Sequence, residues 1–275
     1  MRTLQLPLLA LVVVQLGSVA CLADNLEFAT INYPGASATW VYGINNEGTV
    51  TGAHGISAGG FQGFTRDQAG NLTPVEVPYS QSTYPFAIND TGHIAGTYFN
   101  PPGTIDQGFL MASNASFVTF DVPGSDYTEA YGLNDSGVIV GDYSSDISPS
   151  AFIRNADGTF TTFSYPGAET TQAFGINNQG VVVGSYGSNN NGEFQGFVRD
   201  PNGNFTSLSF PGSSATAPFA INDEGEIAGW YFTPSDTTQS DPQGFLCTAT
   251  LVCTTIEFPD TDYTRIYGLN DSGVI

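Results

Sequence analysis

Histidine and cysteine, the side chains most often found in nucleophilic and metal sites, are scarce in this 275-residue sequence. The two histidines are His54 and His93. Each lies at a position that other copies of an internal repeat fill with Tyr, Val or Glu, so we interpret both as variations on a strand face. No His/Cys cluster has the spacing of a zinc site, and no glycine-rich phosphate loop precedes a helix. The sequence therefore predicts no catalytic, cofactor-binding or metal-binding residue.

Carboxylates are the only plentiful reactive groups, with 26 Asp and Glu residues. A glycosidase needs two of them on opposite sides of the scissile bond. Acids at non-repeated loop positions could supply such a pair, namely Asp106, Asp142, Asp146, Glu193 and Asp241. The sequence does not show which of them meet in space. A secreted carbohydrate-active enzyme, a hydrolase or a lyase, is therefore the alternative to a protein without catalysis.

A calcium loop is the one metal site that the acidic residues suggest. Residues 200–204 alternate oxygen-bearing side chains as part of such a loop does, but further ligands and a distal Glu are missing. Four other acids recur at a single turn position, which favours a structural role through turn hydrogen bonds: Asp90, Asp135, Asp223 and Asp271. We predict plain turns and no cofactor, with Ca²⁺ as the alternative.

A tyrosine follows the second apolar segment in four repeat units: Tyr98, Tyr143, Tyr186 and Tyr231. A set of aromatic rings could stack on sugars. Strand parity places each Tyr on the same side as an apolar residue such as Ile139 or Ile227. Packing between units is therefore the favoured interpretation.

A short phrase that returns six times organises the whole chain. It consists of an aromatic residue, Gly or Ala, Ile or Leu, Asn, Asn or Asp, any residue, and Gly. The copies are YGINNEG from Tyr42, FAINDTG from Phe86, YGLNDSG from Tyr131, FGINNQG from Phe174, FAINDEG from Phe219 and YGLNDSG from Tyr267. Successive copies lie 43 to 48 residues apart. Such a period is typical of repeat architectures, whose units cannot bury their apolar faces alone.

One repeat unit, residues 173–212, contains four short apolar segments separated by turn residues. The turn at 177–180 reads Asn-Asn-Gln-Gly, in which Asn can bond its own backbone and Gly can adopt positive φ. After the N-terminal apolar run, no segment has helical spacing of apolar residues, and 33 Gly with 16 Pro oppose long helices. Each unit is therefore predicted to be a four-stranded antiparallel meander.

Four strands in about 45 residues are typical of a β-propeller blade. A β-solenoid is the alternative, but its coils are usually shorter and lack two tight hairpin turns per unit. We predict an all-β propeller of about six four-stranded blades in residues 24–275, with the last blade incomplete. An outer strand at 28–33 is expected to close the ring. The sequence stops inside the second segment of the sixth unit, so we expect a truncated chain.

The N-terminus predicts export. Arg2 precedes an apolar run at 4–19 and then small residues, so residues 1–23 have the form of a signal peptide cleaved after Ala20 or Ala23. Lipidation of Cys21 and a membrane anchor are the alternatives, although the run is shorter than the ~20 residues that a span needs. The sequence predicts a secreted protein, extracellular or periplasmic, without membrane insertion after signal removal.

The charge of the chain restricts its partners. The formal net charge is −21, and beyond the signal peptide the chain has no Lys and four Arg. Such a field repels nucleic acids and anionic membrane surfaces. An extracellular protein or glycan is the expected partner, and the oligomeric state stays open.

Two cysteines remain after signal removal, Cys247 and Cys253. An even pair in an exported protein suggests a disulfide. Aligning the fifth unit on the fourth places the two residues opposite each other across the hairpin of the third and fourth segments, where Cβ atoms lie about 4.5–5.5 Å apart. Two unpaired thiols are the alternative.

The units resemble the HAF family of extracellular repeats found in exported bacterial proteins. The resemblance is carried by FTTFSYPGAETTQAFGINNQGVVVGSYG at 160–187, followed by phrases such as Gln195-Gly196-Phe197. The histidine of the family's His-Ala-Phe is missing from every copy, since this chain has Gln-Gly-Phe or Ser-Ala-Phe there. The resemblance covers almost the whole mature chain. It implies a secreted, propeller-like repeat protein and brings no catalytic residues.

The loops between the second and third segments vary in length, from 8 to 13 residues, whereas the other turns are short and repetitive. Variable loops on a rigid scaffold are where function concentrates. We therefore predict an exported, non-catalytic scaffold that binds a protein or a glycan through this loop face. A structural or surface-layer role is a further possibility.

Overall fold

The computed structural model describes residues 27–57, 59–100, 106–145, 149–188 and 194–275, which form twenty β-strands and no helix. The predicted signal peptide, residues 1–23, lies outside the described residues. Within the described ranges no helix is long and apolar enough to cross a membrane. The all-β prediction is thus confirmed for the part of the chain that the structure describes.

The strands form five sheets of four, which we call blades 1 to 5. Blade 1 contains β1 (Thr39–Ile44), β2 (Val50–Gly55), β3 (Phe61–Arg66) and β4 (Leu72–Val75). Blade 2 contains β5 (Ser82–Ile88), β6 (Ile94–Phe99), β7 (Gln107–Met111) and β8 (Phe117–Phe120). Blade 3 contains β9 (Tyr127–Leu133), β10 (Ile139–Ser144), β11 (Ser150–Arg154) and β12 (Phe160–Phe163). Blade 4 contains β13 (Thr170–Ile176), β14 (Val182–Gly187), β15 (Phe194–Arg199) and β16 (Phe205–Leu208). Blade 5 contains β17 (Ala215–Ile221), β18 (Ile227–Phe232), β19 (Gln243–Cys247) and β20 (Cys253–Ile256).

Every blade is an antiparallel meander whose strands pair in chain order, as the turn chemistry predicts. The turn between β13 and β14 shows the reason. The Asn177 side-chain oxygen accepts the N–H of Val181 at 2.9 Å, and Gly180 takes the left-handed conformation with φ of +78°. Only glycine adopts that conformation without a steric cost.

A β-bulge lies in the first strand pair of each blade and brings the two backbones close together. In blade 4 the register shifts between Ala173 and Gly175. A Cβ atom on the facing Gly184 would lie 2.0 Å from the carbonyl oxygen of Gln172 and 2.8 Å from the ring of Phe197. Only glycine fits here, and Phe197 occupies the space beneath it with none of its surface exposed.

The core lies between neighbouring blades. Each third strand contributes one phenylalanine with no exposed surface: Phe64, Phe109, Phe152, Phe197 and Phe245. The outer strand of one blade covers the phenylalanine of the next, as Phe120 of β8 does with Phe152 at a ring-centroid distance of 6.4 Å. A blade therefore buries its apolar face only against its neighbour, as expected of a repeat protein.

A threonine in the first segment of each unit connects that unit to the preceding one. Its hydroxyl accepts the backbone N–H of the residue that ends the preceding fourth segment, at 2.9–3.2 Å in all six cases. The six threonines are buried: Thr39, Thr83, Thr128, Thr171, Thr216 and Thr264. These bonds satisfy N–H groups that would otherwise be buried without a partner.

The asparagines of the repeated phrase form a closed ring around the central axis. The side-chain NH₂ of each donates to the backbone carbonyl of the equivalent Asn in the next unit, at 3.0–3.3 Å. The last bond runs from Asn270 in the sixth unit back to Asn45 in the first, at 3.0 Å. Six units therefore surround the axis, although only five of them form sheets.

The predicted count of about six blades is one too high, because the sixth unit forms no sheet in the described residues. Residues 257–275 contain no strand, and the expected N-terminal strand at 28–33 is reduced to an isolated bridge at Ile31. The sixth unit has too few segments to pair with one another, and a lone extended segment has no ladder partner. Its apolar residues are still buried against blade 5, as Ile266 and Leu269 show.

The N-terminal segment nevertheless packs as an outer strand would. Tyr33 stacks on His54 with ring centroids 3.6 Å apart, just as Tyr165 of the third unit stacks on Tyr186 at 3.5 Å. Ile31 belongs to the same buried cluster as Phe64 of blade 1. This segment therefore covers the open face of blade 1 without joining a sheet.

The structure joins Cys247 and Cys253 in a disulfide across the hairpin of β19 and β20. The two residues are register partners, and their Cα atoms lie 3.9 Å apart. In the turn between them Leu251 has φ of +60°, where the equivalent residues of blades 1, 3 and 4 are Gly70, Gly158 and Gly203. In blade 2 the equivalent residue is Ala115, with φ of +63°, so the disulfide closes one of the two hairpins whose turns lack that glycine.

Candidate functional site

Six aromatic side chains form a ring around the central axis. They are the first residues of the repeated phrase, and each contacts the next around the ring: Tyr42, Phe86, Tyr131, Phe174, Phe219 and Tyr267. Their centroid distances run from 4.2 to 5.9 Å. Edge-to-face and offset contacts at such distances are favourable. The central channel has one mouth on each side of this aromatic ring.

The mouth on the side of the short turns is polar and serves the ring itself. It is lined by Asn46, Asp90, Asp135, Asn178, Asp223 and Asp271, the residues after the ring asparagines. Each backbone N–H donates to the side-chain oxygen of the next residue in this circle at 2.7–2.8 Å. Asn46 and Asn178 each also donate to the carboxylates on both sides. The predicted structural role of the four acids agrees with these bonds, which run between turns.

The mouth on the loop side contains a cavity of about 470 Å³, which we call the cup. Its walls belong to blades 3, 4 and 5. The apolar lining includes four aromatic residues besides Tyr131, and the polar lining includes amide and hydroxyl groups: Phe174, Phe194, Phe219 and Trp230, then Gln172, Thr170, Ser185 and Ser188. An apolar cavity of this volume with a few polar groups has the features of a small-ligand site.

Two residues of the cup lining, Gln172 and Ala217, occupy a repeat position that varies. The residue two positions before the ring aromatic differs in every unit: Trp40, Tyr84, Glu129, Gln172, Ala217 and Arg265. The aromatic itself is always Tyr or Phe. We call these six residues the variable ring. A constant scaffold with one position altered in each unit is what a specific binding site requires.

Blade 3 provides an acidic wall beside the cup. Glu129 of β9 and Asp142 of β10 are register partners. Asp142 has no exposed surface and accepts hydrogen bonds from the hydroxyl of Tyr127 at 3.1 Å and the side-chain amide of Gln172 at 3.4 Å. The Tyr131 hydroxyl donates to Glu129 at 2.5 Å. Gln172 therefore connects the acidic pair to the cup lining.

Burial raises the pKa values of the carboxyl groups in this wall. Desolvation, and then the charge of Glu129, raise the pKa of Asp142 well above its ordinary value. Desolvation also raises the pKa of Glu129, with Asp106 adding a smaller repulsion. The pKa of Asp106 itself is raised by desolvation. A raised pKa allows a carboxyl group to keep a proton and to act as a hydrogen-bond donor or a general acid.

The sixth unit contributes the only arginine of the variable ring. Arg265 is exposed, and its guanidinium carbon lies 5.1 Å from the centroid of the Trp230 ring. Trp230 also contacts Phe194 at 5.6 Å and Phe219 at 5.8 Å. Arg265 therefore lies at the rim of the cup, on an aromatic side chain that lines it.

Of the five acids singled out from the sequence, the structure brings two together. Asp106 and Asp142 are both close enough to Glu129 for their charges to interact. The expected loop position of Asp142 is wrong, because this residue lies inside strand β10. Asp241 lies in the loop before β19, where its N–H donates to Asp236 at 2.9 Å. Asp146 and Glu193 lie outside the described residues.

The other residues singled out from the sequence make packing or turn contacts. Tyr186 and Tyr231 stack on the aromatic residues that end the preceding units, Tyr165 and Phe210, so they pack between blades. His54 takes the place of such a tyrosine. Asp200 accepts two hydrogen bonds from Asn204 at 2.8 Å, as in a plain turn. Among the described residues, no group of three or more His, Cys, Asp or Glu side chains is placed to hold a metal ion.

Sequence reasoning did not single out Glu129, Gln172, Trp230 or Arg265. The signal was present, because aligning the six units shows one position that differs in each copy. The constant phrase begins two residues after this position, and it contains the residues that form the aromatic ring and the asparagine ring. Of the residues that vary, Gln172 and Ala217 line the cup.

No family model and no curated protein matches this chain. Solved structures do resemble it. A candidate TolB from Agrobacterium tumefaciens has a TM-score of 0.64 at 11% identity, covering 83% of each chain. The AofleA protein from Arthrobotrys oligospora has a TM-score of 0.53 at 13% identity, covering 86% of this chain and 76% of the other.

Virginiamycin B lyase from Staphylococcus aureus is a third similar structure, with a TM-score of 0.51 at 12% identity. It covers 85% of this chain and 75% of its own. At such low identity these likenesses establish the fold alone. The chain is a β-propeller.

Proposed function

We propose that this propeller is an exported, non-catalytic scaffold that binds a glycan in the cup. The observation that carries the proposal is the composition of the cup wall. Phe174, Phe194, Phe219 and Trp230 offer aromatic faces around one cavity of about 470 Å³. Aromatic side chains combine a large apolar face with defined geometry, which suits the apolar face of a sugar ring.

The polar groups of the cup complete the match to a sugar. Gln172 and Ser185 line the cavity and can donate to and accept from hydroxyl groups. Their neighbours Glu129 and Asp142 add carboxyl groups with raised pKa values. A protein partner would instead be expected on a broader and flatter surface, since a standard protein interface buries about 800 Å² on each side.

Export, an extracellular or periplasmic location and membership of the HAF repeats form part of the same proposal. The disulfide between Cys247 and Cys253 is compatible with an oxidising compartment. Glycans are abundant on cell surfaces, and an uncharged or weakly charged sugar avoids the repulsion that the net charge of −21 imposes on polyanions.

The two tryptophans of the chain provide a matched test of the binding site. Trp230 lines the cup, whereas Trp40 lies in the variable ring of blade 1 and packs on Phe61 at 4.8 Å. We expect Trp230→Ala to weaken the binding of a glycan found by array screening about two- to twelvefold, as loss of an aromatic contact worth about 0.5–1.5 kcal/mol predicts. Trp40→Ala removes the same side chain outside the cavity and should leave the affinity unchanged. Equal losses in isothermal titration calorimetry would contradict the assignment.

The acidic wall supports a second candidate function, carbohydrate cleavage. Two coupled carboxyl groups with raised pKa values are typical of general acid and base pairs. Glu129 and Asp142 are in adjacent strands beside the cup. Cleavage of the bound glycan that is lost in Glu129→Gln, but retained in a variant of Asp241 in the loop before β19, would establish this activity. Binding without product release supports the scaffold.

A further inference from the structure

The four arginines beyond the signal peptide fall into two groups. Three of them occupy the same repeat position at the end of a third strand: Arg66, Arg154 and Arg199. The guanidinium carbons of Arg154 and Arg199 each lie 4.8 Å over a phenylalanine of the preceding blade, Phe120 and Phe163. These arginines serve the packing between blades, on the side of the short turns.

Arg265 is the exception. It belongs to the variable ring, its guanidinium lies over Trp230, and no described residue accepts a hydrogen bond from it. Arg265 is exposed at the rim of the cup. Its five N–H donors form a planar fork that matches a carboxylate.

The six-unit ring sets the position of Arg265 relative to the rest of the cup. Units three apart in a closed ring of six lie on opposite sides of the axis, so Arg265 of the sixth unit and Glu129 of the third belong to opposite sides of the ring. Gln172 and Ser185 line the wall on the Glu129 side. A ligand held between the two sides would place an anionic group at Arg265 and hydroxyl groups at the opposite wall.

We infer that the ligand of the cup is a glycan with a uronic acid residue, whose carboxylate pairs with Arg265 while its ring packs on Trp230. This inference rests on the glycan-binding function proposed above. The guanidinium already stacked on the indole needs little further ordering to form a bidentate pair.

The overall negative charge of the protein restricts the form of this ligand. Interactions between exposed charges are largely screened beyond about 10 Å at 0.1 M salt, so a single carboxylate at Arg265 experiences mainly its near neighbours. A long polyuronate would place many charges against an acidic surface. The cup is therefore expected to take the end of a chain or a short oligomer.

A matched pair of ligands tests the inference, namely a short oligogalacturonide and its fully methyl-esterified form. Esterification removes the charge and keeps the rings and hydroxyl groups. We expect the full exported protein to bind the acid more tightly than the ester. Arg265→Gln should weaken binding of the acid about tenfold to hundredfold, as the loss of a charged hydrogen bond predicts, and leave binding of the ester unchanged.

Two further variants separate a local pair from a general charge effect. Arg265→Lys keeps the charge without the fork, and its affinity should fall between those of the wild type and Arg265→Gln. Arg66→Gln makes the same charge change on the opposite side of the propeller and should bind both ligands normally. An ester that binds as well as the acid, or equal effects of Arg66→Gln and Arg265→Gln, would overturn the uronic acid inference and leave glycan binding standing. A wild-type protein that binds no glycan would overturn both.

Discussion

At the level of one residue, Asp142 shows how a carboxyl group beside the cup lowers the stability of the folded protein as the pH rises. The carboxyl group is fully buried, and the raised pKa means that the folded chain keeps its proton at a pH where the unfolded chain has lost it. The folded state then binds more protons, so its stability falls as the pH rises from about 4 through the folded pKa of Asp142. Glu129 and Asp106, whose pKa values are also raised, act in the same direction.

Asp142→Asn should therefore make the protein more stable at pH 7.5 and flatten the dependence of stability on pH. In the variant the amide oxygen can take the place of Oδ1 and accept from Gln172. Its NH₂ then takes the place of Oδ2 and can donate to the Tyr127 hydroxyl, which is able to accept as well as to donate. The amide cannot ionise. The measurement is the free energy of unfolding from urea titrations at pH 4.5 and pH 7.5.

Asp157→Asn is the control of opposite sign. Hydrogen bonds from Thr159 lower the pKa of this exposed carboxylate, so it stabilises the fold above its ordinary pKa and loses that contribution as the pH falls. Its substitution should lower stability at pH 7.5. If Asp142→Asn is no more stable than the wild type at pH 7.5, the assignment of a buried, protonated Asp142 is wrong.

The hairpins show at the level of the element what the sequence can and cannot predict. Turns with Asn at the first position and Gly at the fourth, together with the apolar segments between them, identify the strands. The two cysteines identify the disulfide hairpin. These signals are all local in the sequence. The buried threonines are not predictable in the same way. The hydroxyl of Thr171, for example, binds the N–H of Tyr165 at the end of the preceding unit, and only the packed structure brings these groups together.

The turn of the disulfide hairpin carries a strain that can be measured. Leu251 has φ of +60°, and its side chain is 38% exposed. Burial of this side chain therefore offsets little of the energetic cost of the left-handed conformation. That cost is roughly 1–2 kcal/mol for a non-glycine residue, and glycine loses about 0.5–1 kcal/mol more entropy on folding. We expect Leu251→Gly to stabilise the oxidised protein by about 0.5–1 kcal/mol in chemical denaturation.

Thr250→Gly provides the comparison within the same turn. Thr250 does not have positive φ, so glycine there relieves no strain. It adds the entropic cost and removes the hydrogen bond between the Thr250 and Thr248 hydroxyls, so it should destabilise the protein. A Leu251→Gly variant that is less stable than the wild type would show that the turn is not strained.

In the part of the chain that the structure describes, the molecule is a ring of six units, five of which form sheets. Repeat spacing predicts the propeller, but it counts units and does not show whether each can form a blade. The sixth unit contributes Asn270 to the asparagine ring, Tyr267 to the aromatic ring and Arg265 to the cup, without a sheet of its own. The asymmetry of the cup is not predictable from the period, because it depends on which varied residues face one another across the axis.

The central claim is that a glycan binds in the cup, and the fluorescence of Trp230 tests it most directly. The chain has two tryptophans, so Trp40→Phe leaves Trp230 as the only one. Titration of this variant with a glycan should change the emission of Trp230 to saturation, at the concentration where calorimetry reports binding. The reciprocal variant, Trp230→Phe, should keep the emission of Trp40 constant. Binding by calorimetry with no change in Trp230 emission, or with a change in Trp40 instead, would contradict the account.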